Sequence, residues 1–261
     1  MALLHHIVAG ADSPPIVFVH GLCCSHTDWR HQVGHFARRH MMVAVDLPGH
    51  GASPPGAGVA TIERCGAEVE ALLRALALPP AVLVGHSMGC RVVLGAALRA
   101  PERVAGIVLV DGSRFGPGMT QVFEAAFAAG EYRALLRELF EQMFTARSDP
   151  DAVAAVIERA LAVPEDVGRA LLLSLVRYDI DKLEGALEST AKPLLALQTT
   201  FVDRNRKRAS MSPGQTTPYL DFIRAKVPGA RIEVLPGVGH FPQLDAPAAT
   251  SAALESFVAS L

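Results

Sequence analysis

Gly85-His86-Ser87-Met88-Gly89, preceded by Ala81-Val82-Leu83-Val84 and followed by the helical run from Cys90 to Leu98, decides how this chain is read. A short aliphatic and β-branched run ending in glycine reads as a buried strand, and the residues after the second glycine have the composition of a helix. A serine in such a strand-to-helix turn sits in a strained conformation, so its flanking positions must be glycine to avoid steric clash. The turn holds the hydroxyl above the sheet edge. The helix that starts there directs its free amides and dipole toward the place where negative charge would develop. Gly-x-Ser-x-Gly alone is a weak pattern; between a strand and a helix it is specific.

Working outward, Ile16-Val17-Phe18-Val19-His20 before Gly21, Met41-Met42-Val43-Ala44-Val45 before Asp46 and Gly106-Ile107-Val108-Leu109-Val110 before Asp111 read as further buried strands. Residues 3–8 suit an edge strand. Between these runs lie helical patterns, the clearest at 62–77, where Cys65, Val69, Leu72, Leu73 and Leu76 share one face, Thr61 caps the start and Pro79 follows the end. Strand and helix in alternation imply a parallel sheet with crossover helices. From about 115 to 190 apolar residues recur only at helical spacing, which predicts an all-helical insertion. Strand patterns resume at Pro193-Leu194-Leu195-Ala196-Leu197 and Arg231-Ile232-Glu233-Val234-Leu235, and an Ala/Leu-rich helix closes the chain from about 246.

The 261 residues, half of them hydrophobic, suffice for one large core. A net charge of −2 argues against capture of nucleic acid or an anionic membrane, so the expected partner is a small neutral or weakly charged molecule. Cys23, Cys24, Cys65 and Cys90 lack the spacing of a disulfide framework or a zinc site, and reduced thiols in a cytoplasmic protein are expected. The start has no signal-like stretch and no run is long enough to span a membrane. Nothing fixes the oligomeric state beyond monomer or homodimer.

A serine hydroxyl needs a base, and His240 is the best placed: it lies in the glycine turn Pro236-Gly237-Val238-Gly239-His240 after the last strand, from where an imidazole can reach back over the sheet edge. An oxyanion hole follows from the same logic, with one amide from Met88, next to the nucleophile, and the second from Leu22 in the loop after the strand 16–20. Gly21 allows the tight turn there. His20, Gly21 and Cys23 are placed beside the substrate. His20 is read as ordering the loop rather than moving protons, and Cys23 as close enough to line the pocket, with small-residue packing as its plainer reading.

Three motifs, Val19-His20-Gly21, Asp46-Leu47-Pro48-Gly49-His50-Gly51-Ala52-Ser53 and Gly85-His86-Ser87-Met88-Gly89, followed by Gly239-His240, resemble the serine-nucleophile branch of the α/β-hydrolase fold superfamily over nearly the whole chain. The resemblance implies an α/β class: a mostly parallel central sheet with helices on both faces and an all-helical cap inserted after the sixth strand. The core would comprise 1–114 and 191–261 and the cap 115–190. It implies a serine hydrolase that cleaves a small to medium, partly hydrophobic carboxylic ester through an acyl-enzyme, with no metal or organic cofactor. The second motif is structural in that family, a turn that braces the loops near the site. Lactone or carbon–carbon bond hydrolysis, perhydrolysis and a lyase reaction of the menaquinone-pathway type use the same constellation. The lyase is suggested by Ser87-Met88-Gly89-Cys90-Arg91, with His86 against it. A receptor that signals through its cap is the rival outside enzymes.

The acid that orients the histidine is where the sequence departs from the family, which usually carries a Gly-x-x-Asp-like turn after the strand before the last. Here that region reads Leu197-Gln198-Thr199-Thr200-Phe201-Val202-Asp203, without the glycine. Asp203 preserves the order Ser, Asp, His and is the favoured acid. Asp111, at the end of the strand 106–110, is its rival. Beside Asp203 the basic run Arg204, Arg206, Lys207 and Arg208 reads as a solvated loop or an attractor for a substrate carboxylate. His31 and His35, one helical turn apart, have no third ligand in register and read as a surface face.

Overall fold

Aliphatic runs that are apolar on both sides have to be covered on both faces, and the computed structural model, which describes residues 3–203 and 207–261, places them side by side. In chain order the elements are β1 (His6–Ala9), β2 (Ile16–Val19), α1 (Arg30–Phe36), β3 (Met42–Val45), α2 (Ile62–Ala75), β4 (Ala81–His86), α3 (Gly89–Arg99) and β5 (Val104–Val110). The helical insert comes next: α4 (Met119–Ala128), α5 (Tyr132–Glu141), α6 (Pro150–Ala162), α7 (Glu165–Asp181) and α8 (Leu183–Glu188). The chain then returns through β6 (Leu194–Gln198), β7 (Thr200–Val202), β8 (Arg208–Ser210), α9 (Pro218–Lys226), β9 (Arg231–Val234), α10 (Pro242–Asp245) and α11 (Pro247–Val258).

Seven strands form one sheet in the order β1-β3-β2-β4-β5-β6-β9, with only the edge strand β1 antiparallel to its neighbour. Alternate side chains of each strand feed opposite layers. Val17, Val19, Val43, Val45 and Leu83 pack with Leu72 and Leu73 of α2 and Val92 of α3, whereas Ile16, Phe18, Met42, Ala44 and Val84 pack with Phe36 of α1 and Leu254 and Phe257 of α11. The helix expected at 62–77 spans Ile62–Ala75, and the Thr61 side chain accepts a hydrogen bond from the Arg64 amide, which satisfies one of its free donors. The helical insert lies between β5 and β6 as a cap would, five strands preceding it among the described residues. No described helix is long and apolar enough to cross a membrane.

The topology decides where chemistry can happen. From β2 the chain passes to β3 on one side, then crosses to β4 on the other, so the order reverses between β2 and β4. Because the strands are parallel, the segments after β2, β4, β5, β6 and β9 leave from one edge of the sheet, and the crevice at the reversal is the natural ligand site. One element was not foreseen: β7 and β8 pair antiparallel as a separate hairpin just after β6.

Candidate active site

At the end of β4 the backbone of Ser87 is left-handed, with φ of +52°, a conformation that L side chains adopt only when their surroundings hold them there. Those surroundings are the flanking glycines. A Cβ on Gly85 would lie 2.3 Å from the Gly89 carbonyl oxygen, and one on Gly89 2.6 Å from that of Val19. No other residue fits either place. The Ser87 amide donates to the Val110 carbonyl at 2.9 Å, which ties the turn to β5, and α3 begins immediately at Gly89 with Met88 as its N-cap. Ser87 remains half-buried while Met88 is buried.

His240 enters from the loop after β9 and is fully buried. Its Nδ1 lies 2.5 Å from Asp111 Oδ2, and its Nε2 has no hydrogen-bond partner among the described residues. Asp111 stands just past β5 with φ of +44°, anchored by its amide to the Leu197 carbonyl at 2.8 Å. The amides of Thr199 and Thr200 each donate to its Oδ1 at 2.7 Å, and the Thr200 hydroxyl donates to Oδ2 at 2.5 Å. Burial works against the Asp111 charge, but the His240 hydrogen bond and the nearby positive charge outweigh it and the carboxyl is held below its ordinary range. With Oδ2 accepting from Nδ1–H, Nε2 is the basic nitrogen. Burial first, and the Arg208 guanidinium second, push the imidazole down to about 4, so it is neutral at neutral pH.

Two groups tie this histidine to the elbow and the insert. His86 Nε2 donates to the His240 carbonyl at 2.7 Å, with the two rings 4.7 Å apart, and the His240 amide donates to the Met143 carbonyl at 2.7 Å. His86 is also buried and neutral, burial being the main cause. Its place inside the motif was visible in the sequence; its partner was not.

The loop after β2 meets the elbow at Gly21, where a Cβ would stand 3.3 Å from that of Ser87 and 3.1 Å from His86 Nδ1. Leu22, half-buried, comes directly after it. His20 accepts from the Leu47 amide through Nε2 at 2.9 Å and so donates through Nδ1 to the Gly21 carbonyl at 2.7 Å, a bracing role with both nitrogens occupied. Burial, then His50, push it down to about 3. His50 in turn accepts from the Cys23 amide at 3.1 Å, which holds Cys23 in its left-handed conformation, φ +53°. The Cys23 sulfur is buried 3.9 Å from the Tyr132 hydroxyl, and burial pushes the thiols of Cys23, Cys65 and Cys90 up to about 12. None of those three is a thiolate near neutral pH.

The sequence and the fold have known counterparts. Residues 16–253 match the model of the Alpha/beta hydrolase family. The chain belongs to that family. It is 30% identical over 257 residues to the pimeloyl-[acyl-carrier protein] methyl ester esterase of Methylococcus capsulatus, with 95% of each chain covered. It is 29% identical over 249 residues to the dihydrolipoyllysine-residue acetyltransferase component of the acetoin cleaving system of Pseudomonas putida, covering 92% of this chain but only 62% of that protein. Among solved structures, a thermophilic esterase from Thermogutta terrifontis superposes with a TM-score of 0.82 at 22% identity, over 98% of this chain and 93% of the other.

In this α/β hydrolase the carboxylate against the imidazole is that of Asp111, which corrects the sequence-based preference for Asp203. Asp203 belongs to the turn of the β7–β8 hairpin: its amide donates to the Lys207 carbonyl at 2.8 Å and its Oδ1 accepts from the Lys207 amide at 2.9 Å. The missing glycine marks the cause. The chain runs on from β6 into a hairpin instead of turning sharply, and Thr199 and Thr200 supply donors to a carboxylate that arrives from β5. Of the basic run, Arg204 and Arg206 lie outside the described residues, Lys207 is exposed, and Arg208 turns inward to the dyad.

Arg91 is fully buried, its Nε and Nη2 on the two oxygens of Asp179 of α7 at 2.9 and 2.7 Å, and its Nη1 donates to the Ser87 carbonyl at 3.0 Å. Burial opposes its charge, but Asp179 more than offsets this. Together with Phe144 stacked on Phe241 at 5.0 Å and Val167 packed on Gly49, the Arg91–Asp179 pair seats the helical insert over the site. A groove of about 1080 Å³ between α5 and α6, with Phe144, Ile157 and Leu161 on its walls, is lined by neither Ser87 nor His240.

For metals, the described residues bring together His5, His26 and Asp46, not His31 and His35. Four donors already occupy the Asp46 oxygens: the His26 amide and Nδ1 at 2.8 and 2.9 Å, His5 Nδ1 at 2.8 Å and the Ala52 amide at 3.0 Å. This is a satisfied brace for the turn 46–53.

Proposed function

We propose that the protein hydrolyses carboxylic esters through an acyl-enzyme on Ser87, with His240 as general base and acid and Asp111 as the residue that holds the imidazole. The observation that carries this reading is a buried, neutral imidazole whose Nδ1 is fixed by a carboxylate and whose Nε2 is unengaged, tied through His86 to the strained elbow that carries Ser87. His240 takes the proton as Ser87 Oγ attacks the carbonyl carbon. The Leu22 and Met88 amides hold the oxyanion, aided by the N-terminus of α3. The protonated imidazole gives its proton to the leaving alcohol, then activates a water that releases the acid. Apolar residues of the insert adjoin the histidine and the loop after β2, with Tyr132 on Cys23 and Met143 holding the His240 amide, and the substrate proposed is a small to medium ester with a hydrophobic portion. The esterase relative and neighbour support this class of substrate.

Hydrolysis of p-nitrophenyl esters of rising acyl length, run beside Ser87→Ala and beside γ- and δ-lactones, tests the proposal. Ester turnover by wild type that disappears in the variant is expected. Failure of a fluorophosphonate to label Ser87 in folded wild type refutes a serine hydrolase; labelling with turnover of lactones alone redirects the substrate class.

A further inference from the structure

Arg208, the first residue of β8, brings a permanent positive charge to the dyad that ester hydrolysis by Ser87, His240 and Asp111 does not call for. Its side chain is 15% exposed, with Nη1 2.7 Å from Thr200 Oγ1, 3.2 Å from His240 Nδ1 and 3.6 Å from Asp111 Oδ2. Thr200 Oγ1 accepts from the guanidinium and so directs its own hydrogen to Asp111, which it meets at 2.5 Å. His240 Nδ1 cannot accept from Arg208 as well, because it carries its hydrogen toward Asp111. The 3.2 Å approach is therefore donor against donor, tolerable beside a neutral ring and unfavourable beside an imidazolium.

Of the other titratable or charged groups facing His240, Asp111, from the end of β5, favours the imidazolium, and His86, from β4, is neutral. Arg91, from α3, disfavours the imidazolium as Arg208 does, but more weakly, its guanidinium being paired with Asp179. From the insert, Met143 presents a carbonyl to the His240 amide.

We propose that Arg208 is a positioning residue of the dyad: through Thr200 it fixes the Asp111 carboxylate, and by its charge it disfavours a second positive charge on His240, so that the base stays ready in acid surroundings. The proposal rests on the Ser87–His240–Asp111 reading. Its consequence is a split between pH dependence and plateau rate. Without the guanidinium the imidazolium becomes easier to form, and a base must be neutral to act, so activity is lost at a higher pH as the solution is acidified.

The test uses the full chain with Arg208→Met and Arg208→Lys. His240 is titrated by NMR of its ring signals, assigned by their loss in His240→Asn, and the rate of Ser87 labelling by a fluorophosphonate is followed against pH. In Arg208→Met the midpoint and the acid limb should both rise by about one pH unit, a change of about tenfold in rate on the acid side, while the alkaline plateau falls by less than that as Asp111 loses its support through Thr200. The lysine variant should fall between. If the methionine variant does not fold, Arg208→Gln, which keeps a donor toward Thr200 without the charge, carries the comparison. A midpoint that stays in place in a folded neutral variant overturns the proposal, and so does a lowered plateau with an unmoved limb, the mark of a merely structural arginine. Absence of labelling in wild type counts against the hydrolase reading, whereas the NMR midpoint still decides the role of Arg208.

Discussion

Asp111→Asn separates the two candidate acids by a mechanism that can be followed atom by atom. Asparagine has the size of aspartate, and its amide oxygen can keep the place of Oδ1, accepting from the Thr199 and Thr200 amides at 2.7 Å. Its NH₂ then occupies the place of Oδ2, 2.5 Å from His240 Nδ1. That group donates, so Nδ1 must accept, and the ring proton moves to Nε2, the nitrogen that has to take the proton of Ser87. The charge that stabilises the imidazolium is lost as well. The expected cost is about four orders of magnitude in kcat, the size found when a triad acid becomes its amide, or about 5.4 kcal/mol of barrier. Asp203→Asn leaves an oxygen able to accept from the Lys207 amide in the hairpin turn and should change kcat by less than about twofold. The assay is p-nitrophenyl butyrate hydrolysis near pH 8, with Ser87→Ala as baseline and thermal melts to confirm folding. An Asp111→Asn enzyme within tenfold of wild type, or an Asp203→Asn enzyme that loses more, refutes the assignment.

Three further outcomes are expected from the same geometry. Because His240 lies near 4 and acts when neutral, kcat/KM should hold down to about pH 5 and fall only below it; an acid limb near 6.5, the ordinary histidine value, contradicts the buried dyad. His20, His86 and His240 are all buried and held below the ordinary histidine range, so the unfolded chain takes up protons below about 6.5 that the folded one refuses. Their stabilisation is complete above that pH and is lost as pH falls, by at most about 1.4 kcal/mol per imidazole per pH unit, and urea unfolding at pH 7 and pH 5 should differ by at least about 2 kcal/mol. Asp179→Ala leaves Arg91 buried without its partner, which should cost about 3–5 kcal/mol in urea unfolding; a loss under about 1 kcal/mol would mean that the pair does not fasten the insert to α3.

The fold was legible because its signals are local. Residues 16–19, 42–45 and 81–84 are apolar on both strand faces and end in glycine or a turn, and only a doubly covered parallel sheet accommodates that pattern. The elbow was legible for the same reason: Gly85 and Gly89 are required by close backbone approaches that arise within the motif and against the neighbouring strand. The partners of the charged groups were not. Nothing local tells that Arg91 meets Asp179 eighty-eight residues on, or that Arg208 turns inward while Lys207 stays exposed. The hairpin that decides this has strands of three residues each, too short for alternation to stand out.

The choice of acid shows where sequence order stops being informative. β5 and β6 are adjacent and parallel, with Val110 beside Leu197, so a carboxylate just past either strand end emerges at the same edge of the sheet, next to the histidine loop. Both positions lie between the serine and the histidine in sequence, and the order Ser, Asp, His is satisfied by either. What distinguishes them is which segment turns and which continues. Asp111 stops its strand in a left-handed conformation and brings its carboxylate to the Thr199 and Thr200 amides, whereas the chain after Gln198 continues into the hairpin and leaves Asp203 in its turn. Two threonines at the place where the family usually turns toward its acid are the informative residues: a β-branched pair extends the chain, and its amides and hydroxyl receive an acid instead of supplying one. On the proposed assignment, a donor-rich Thr-Thr after the strand before the last receives a carboxylate from the strand beside it.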